Sequence, residues 1–183
     1  MDIIINVSGT VINTERLIIR PWKRKDLSDF YEYASVPGVG EMAGWPHHES
    51  KNTTKYVSKS FMEVNNVFAI EYRENGKVIG SIGFHLSWAN EDPEYKHLRV
   101  KDLGYSLSKD YWGRGLTPEA AMAVIEWVKN NYDIDALTCG HFRYNTQSKR
   151  VIEKCGFTFV RESTYHARQL NAFIDDAKYI KYL

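Results

Sequence analysis

Asp110-Tyr111-Trp112-Gly113-Arg114-Gly115-Leu116-Thr117-Pro118-Glu119-Ala120 is a glycine-punctuated loop that runs straight into a marked helix start. Thr117 is a good N-cap, Pro118 suits the first helical position because its missing N–H would have no intrahelical partner, and Glu119 complements the positive end of the helix dipole. The pattern predicts a helix from 117–118. Gly113 and Gly115 lack Cβ atoms, so the backbone ahead of that helix can take unusual dihedrals and turn several free N–H groups toward one ligand. Such a cradle suits an anion, most naturally a phosphate or pyrophosphate. A Gly-x-Gly pair can also do no more than turn a strand into a helix, so neighbouring sequence has to decide. No Gly-x-x-x-x-Gly-Lys-Ser/Thr run is present, which excludes a Walker loop, and Pro118 stands where a dinucleotide fingerprint needs its third glycine.

Outward from this loop, Asp102 to Leu107 reads as the strand that feeds it. Ahead of that strand, residues 16–22 form a first strand, a helix starts near Asp26 and ends by Pro37-Gly38, and Ser50 to Glu63 forms a second helix. Val67 to Tyr72 and Lys77 to Leu86 flank Asn75-Gly76, a hairpin signal because that pair tolerates positive φ. Residues 87–101 are a polar insertion, either a substrate contact or a solvated excursion. Past the loop, Pro118 to about Asn130 carries a broad apolar face. Ala136 to Phe142 is a strand, Asn145 opens a helix to about Cys155, Gly156 ends it, and Phe157 to Val160 resumes sheet. Leu170 to Tyr182 is a last strand. This order predicts an α/β domain of the α+β type, with a mixed, largely antiparallel sheet flanked by helices rather than a doubly wound parallel sheet.

The chain has 183 residues, 43% of them hydrophobic, enough for one domain with a sizeable core. Twenty-four basic and 23 acidic side chains leave a formal charge of +1, so no global field favours nucleic acid or an anionic membrane. Cys139 and Cys155 have no metal-ligand spacing and read as buried thiols in a reducing compartment. With neither a secretory leader nor a membrane-length apolar run, a cytoplasmic location is expected. No Gly-x-Ser-x-Gly elbow, His-Glu-x-x-His or Cys/His cluster is present, so no metal is expected and the six histidines do not make a hydrolase.

The loop resembles the acyl-CoA pyrophosphate loop of the GNAT superfamily of N-acetyltransferases, Arg/Gln-x-x-Gly-x-Gly/Ala, with Gly113 and Gly115 matching and Asp110 replacing the usual Arg or Gln. The longer string, Asp102-Leu103-Gly104-Tyr105 to Tyr111-Trp112-Gly113-Arg114-Gly115, is similar to the branch containing the ribosomal-protein N-terminal acetyltransferases. The resemblance implies the GNAT fold over residues 14–183, with 1–13 as an N-terminal extension. It implies acetyl-CoA as cosubstrate, lying between two diverging strands and held by Leu107, Asp110, Tyr111, Trp112, Gly113, Arg114, Gly115, Leu116, Thr117, Asn145 and Ser148.

Acetyl transfer from a thioester to an amine needs a neutral amine, a polarised carbonyl and a proton for the leaving thiolate; orientation of the reactants alone can supply about 7–11 kcal/mol of the barrier. By the resemblance, Asp102 takes the place of a Glu and is the candidate base; otherwise it is a strand-end acid. Asn145-x-x-Ser148 matches an Asn-x-x-Ser string, and Ile152 stands where many relatives have a proton-donating tyrosine, which leaves Ser148 as thiolate partner. Otherwise Asn145 is a cap and Ser148 a first-turn hydroxyl. Trp45, His47, Trp88 and Tyr105 are the candidate acceptor contacts. The acceptor is a primary amine, either a protein N-terminus or a small molecule, and acids at 91, 92 and 94 favour a cationic one if they face the cleft. A homodimer through the last strand or the insertion is a further expectation. The alternative function is an acyl-CoA-binding or interaction module that keeps the fold without turnover.

Overall fold

Alternation within single strands decides how this chain layers. In β3 (Val67–Tyr72), Val67 and Ala69 face a cluster with Trp22, Phe30 and Tyr33, whereas Phe68 and Ile70 face the larger cluster with Leu103, Val124 and Leu137. A strand that is apolar on both faces must be covered on both. The computed structural model, which describes residues 1–183, accordingly shows a single sheet between two helical layers.

The remaining elements are β1 (Ile12–Asn13), β2 (Leu17–Pro21), α1 (Leu27–Ala34), α2 (Lys51–Val64), β4 (Val78–His85), β5 (Val100–Leu107), α3 (Leu116–Asn131), β6 (Ala136–Phe142), α4 (Thr146–Lys154), β7 (Thr158–Ala167) and β8 (Ala172–Tyr182). The eight strands lie in the order β1-β2-β3-β4-β5-β6-β8-β7. All neighbours are antiparallel except β5 and β6, which are joined by the α3 crossover. That parallel pair is short: Val100, Lys101 and Asp102 face Ala136, Leu137 and Thr138, and beyond them the strands separate. The predicted mixed, largely antiparallel sheet flanked by helices is what forms.

Three expectations change. The helix after the glycine loop begins at Leu116, two residues earlier than the expected first position Pro118, because Gly115 (φ 74°) takes the N-cap place in a left-handed conformation and Thr117 lies within the first turn. Residues 1–13 are no appendage: Ile5 and Val7 are buried in the main core, the Val7 N–H donates to the Asn65 carbonyl, and Ile12 pairs with Ile19. Finally, β8 lies inside the sheet between β6 and β7 and so has no free edge to pair with a second copy; the edge strands are β1 and β7.

Glu119 does more than complement the dipole of α3. Its carboxylate accepts from the Thr14 hydroxyl at 2.6 Å, the Arg16 N–H at 2.9 Å and Arg16 Nε at 2.7 Å, tying the glycine loop's helix to the first strands. Burial works to raise its pKa, but the Thr14 and Arg16 hydrogen bonds outweigh this and lower it. A depressed carboxylate contributes stability that is present above its unfolded pKa and fades as pH falls through the folded one. Glu119→Gln is therefore expected to cost about 1–2 kcal/mol at pH 7, read by urea unfolding, with the difference from wild type shrinking below pH ~4.

Candidate active site

Where β5 and β6 part, they open a cleft of about 870 Å³ through the sheet, and residues from both faces line it. Side-chain alternation along β5 assigns two sets of groups to opposite sides. Asp102, Gly104 and Ser106 face the α1/α2 layer; Leu103, Tyr105 and Leu107 face α3 and α4.

At one end lies the glycine loop. Gly113 (φ 73°) and Gly115 (φ 74°) both adopt the left-handed conformation, and nothing stands within 4 Å of where a Cβ on Gly113 would be. The N–H groups of 113–117 donate to no protein acceptor, so five backbone donors at the start of α3 are free for a ligand. This is the chemistry of an anion cradle, and a pyrophosphate fits it. The loop is braced from behind: Trp112 Nε1 donates to the Leu107 carbonyl at 2.7 Å, and Arg16 donates to the Arg114 carbonyl at 2.8 Å. Leu107, Tyr111, Trp112, Gly113, Gly115, Leu116 and Thr117 all line the cleft. Two expected anion contacts do not. Asp110 is exposed, and the Arg114 guanidinium is clamped against the rings of Tyr72 and Tyr111, 5.0 and 5.2 Å from their centroids, with a hydrogen bond to the Tyr72 hydroxyl. Arg150 and Lys154, one helical turn apart on α4, supply positive charge to the cleft instead. Their i, i+4 spacing next to Asn145-x-x-Ser148 was a signal available in the sequence.

On the α4 side, Asn145 caps its helix as expected: its Oδ1 accepts from the Ser148 N–H at 3.1 Å, while Nδ2 donates to the Met42 carbonyl. The Ser148 hydroxyl is 2.8 Å from the Tyr105 hydroxyl. Tyr105 therefore stands beside Ser148 on the α3/α4 side, away from Asp102. Burial, reinforced by nearby Cys139, pushes the Tyr105 phenol well above its ordinary pKa, so it stays protonated and can donate. Ile152 is buried in the core. The hydroxyl beside Ser148 comes from β5 instead.

On the opposite side, Asp102 is the last residue paired before the fork. Its Oδ1 accepts from the Thr138 hydroxyl at 2.6 Å, and Thr138 in turn lies 2.8 Å from the Ser87 hydroxyl. Since the single Thr138 proton goes to Asp102, Ser87 donates to Thr138, and the polar insertion thereby fixes the carboxylate from its first residue. Burial raises the Asp102 pKa to about 6; Thr138 and Lys178 oppose the rise, and Asp176 adds to it. A carboxylate poised near 6 is ionised at neutral pH yet basic enough to take a proton. His85 pairs with Asp102 across β4 and β5, its ring over Gly104, where a Cβ would come within 2.9 Å of it. Desolvation, with the charge of Lys101 second, lowers the imidazole pKa and keeps it neutral.

Trp45 and Trp88 also line the cleft; Trp45 packs 5.2 Å from His48, and the Arg161 guanidinium lies 4.8 Å from the Trp88 ring. His47 is turned away, 2.8 Å from Glu41. Glu91, Asp92 and Glu94 do not reach the cleft, and Asp92 is held by Arg161 at 2.6 Å. Cys139 donates to the Leu103 carbonyl and burial holds its thiol well above the ordinary range, while His141 hydrogen-bonds to Tyr179. They form no nucleophile–base pair. Asp176 and Lys178, which no local sequence pattern marks, join Asp102 on the α1/α2 side of the cleft.

An anion cradle at a helix start, a forked sheet, and acid–base groups on either side of the fork together make the architecture of an acyltransferase. The family profile described as an acetyltransferase (GNAT) domain matches residues 16–158. The chain belongs to the GNAT acetyltransferase family. It is 25% identical over 145 residues to the uncharacterized N-acetyltransferase YnaD of Bacillus subtilis (strain 168), covering 79% of this chain and 81% of that protein. Among solved structures it resembles the microcin C7 self-immunity acetyltransferase MccE in complex with acetyl-CoA and AMP, with TM-score 0.77, 17% identity, and coverage of 93% and 94% of the two chains. It also resembles the ribosomal-protein-S5-alanine acetyltransferase of Vibrio fischeri, with TM-score 0.71, 18% identity, and coverage of 95% and 97%. No helix is long and apolar enough to cross a membrane.

Proposed function

We propose that the protein transfers an acetyl group from acetyl-CoA to a primary amine by direct attack in a ternary complex. The observation that carries this is the placement of Asp102 and the Tyr105–Ser148 pair on opposite sides of the β5/β6 fork. The pyrophosphate rests on the N–H groups of 113–117, with Arg150 and Lys154 adding charge, and the thioester reaches the fork. The amine arrives from the α1/α2 side. As its nitrogen bonds to the thioester carbon, Asp102 takes an amine proton, the C–S bond breaks, and the Tyr105–Ser148 hydroxyls protonate the departing sulfur. Cys139, protonated and buried, takes no part, so no acetyl-enzyme forms.

A non-catalytic acyl-CoA-binding module is the competing function, and the displacement of Asp110 from the cradle is what favours it. Calorimetric titration with acetyl-CoA, CoA and an analogue lacking the 3′,5′-ADP portion, followed by thiol release with a panel of amines, separates the two. Binding that requires the ADP portion, together with amine-dependent thiol release, supports the transferase. Binding with no release for any amine supports the module, and no binding of either CoA form overturns both.

A further inference from the structure

Only two carboxylates line the cleft, Asp102 and Asp176. Asp176 lies on β8 opposite Phe142, and Lys178 lies opposite Gly140, so both side chains extend over the same sheet face as Asp102 and Thr138. The residue is 3% exposed. Its Oδ2 is 2.6 Å from Lys178 Nζ, but its Oδ1 is buried without any hydrogen-bond partner. A buried carboxylate oxygen lacking a donor is costly, and such an orphan lining a cleft is complementary to a ligand that brings its own N–H. Two carboxylates against one ammonium also leave room for one more positive charge.

The walls narrow the choice of ligand. Met42, Trp45, Trp88, Phe142, Tyr144 and Tyr165 surround this half of the cleft. Tyr165 and Phe142 come within 3.3 and 3.4 Å of a Cβ built on Gly44, so the Gly44 loop lies directly against these two rings. No carboxylate stands among them to hold a second ammonium. Resting on the acetyltransferase function proposed above, we infer that Asp176 anchors the acceptor ammonium beside Asp102 and that the acceptor is a monoamine with an aromatic or apolar body. Asp176 holds the nitrogen as it arrives charged; one proton passes to solvent to give the free amine, and Asp102 takes the second as the C–N bond forms. A polyamine finds no further carboxylate to pair its other charges, and a peptide leaves its backbone polar groups against apolar walls.

Thiol release with acetyl-CoA is measured for 2-phenylethylamine, spermidine and a tripeptide with a free N-terminal alanine, in wild type and Asp176→Asn. In parallel, the CoA-saturated protein is titrated calorimetrically with 2-phenylethylamine. Wild type is expected to use 2-phenylethylamine best, by about tenfold in kcat/KM, and Asp176→Asn to raise its KM by about tenfold or more, matching the loss of a charged hydrogen bond. The variant's kcat should stay within about threefold, with acetyl-CoA affinity unchanged as proof of an intact fold. An unchanged acceptor KM in the variant assigns Asp176 a purely structural role and overturns the proposal, as does a preference for spermidine or the tripeptide. Neither transfer nor binding of 2-phenylethylamine in a protein that still binds acetyl-CoA overturns it too, leaving the donor site standing. Failure of acetyl-CoA itself to bind removes the function on which it rests.

Discussion

Asp102→Asn should lower kcat/KM for acetyl transfer by about 10²- to 10⁴-fold, the range for loss of a positioned general base, while acetyl-CoA affinity stays close to wild type. Asparagine keeps the oxygen that accepts from Thr138 and the approximate shape of the carboxylate, so what is removed is basicity and charge. The pH dependence makes the test specific. With the Asp102 pKa raised to about 6 by burial, wild-type kcat/KM should fall as pH drops through about 6, because the carboxylate protonates and can no longer accept the amine proton. In the variant that acidic limb should vanish, leaving only the rise at high pH as the free amine becomes populated. Stability should move the other way. An acid whose folded pKa is raised above its unfolded value disfavours folding once pH exceeds that unfolded value, and the full cost is present above the folded one. Asp102→Asn should then unfold at higher urea than wild type at pH 8 and lose that advantage near pH 4. A merely structural carboxylate would give destabilisation together with lost activity, and an acidic limb that persists in the variant would assign the base elsewhere, with the neutral His85 imidazole the nearest candidate.

Local chemistry is what made the frame legible. Asn75-Gly76 fixed the β3–β4 hairpin, Asn145 with Ser148 fixed the start of α4, and Gly113-Arg114-Gly115 fixed the cradle, because each rests on backbone geometry that few residue types permit. The helix starts two residues early because two signals compete there. Thr117-Pro118 is a good cap on local grounds, but a left-handed Gly115 already supplies the turn. The acceptor side was far less legible. Asp176 and Lys178 come from a strand distant in sequence from Asp102, and only the β5–β6–β8 pairing brings them together. Likewise the position of Tyr105 follows from strand parity: an odd residue in β5 faces α4, opposite Asp102, once register is known. The acids at 91, 92 and 94 looked attractive as a cluster, but Arg161, arriving from β7, captures Asp92. Long-range pairing of this kind leaves no local mark.

The hydroxyl pair opposite Asp102 gives the other large effect. Tyr105→Phe and Ser148→Ala should each slow a single turnover by about 10- to 10²-fold, the lower part of the range for side-chain proton transfer, without loosening acetyl-CoA by a comparable factor. The combined variant should be little slower than the worse single one. The two hydroxyls are 2.8 Å apart, so one proton path runs through both, and cutting it once removes most of what it contributes. Independent roles would instead multiply, and a product of the two single effects would break the pair apart as a functional unit. Tyr105 has the stronger claim to hold the proton before reaction, since burial keeps the phenol protonated across the working pH range and donation to sulfur requires that form. Phenylalanine retains the ring that packs against the main core, so a rate loss with an unchanged melting temperature isolates the hydroxyl. If C–S cleavage is the step the pair assists, an acetyl thioester with a more acidic thiol needs less help from a proton donor. Acetyl transfer from such a donor should narrow the gap between wild type and Tyr105→Phe, whereas a pair that only positions the substrate would leave the gap unchanged.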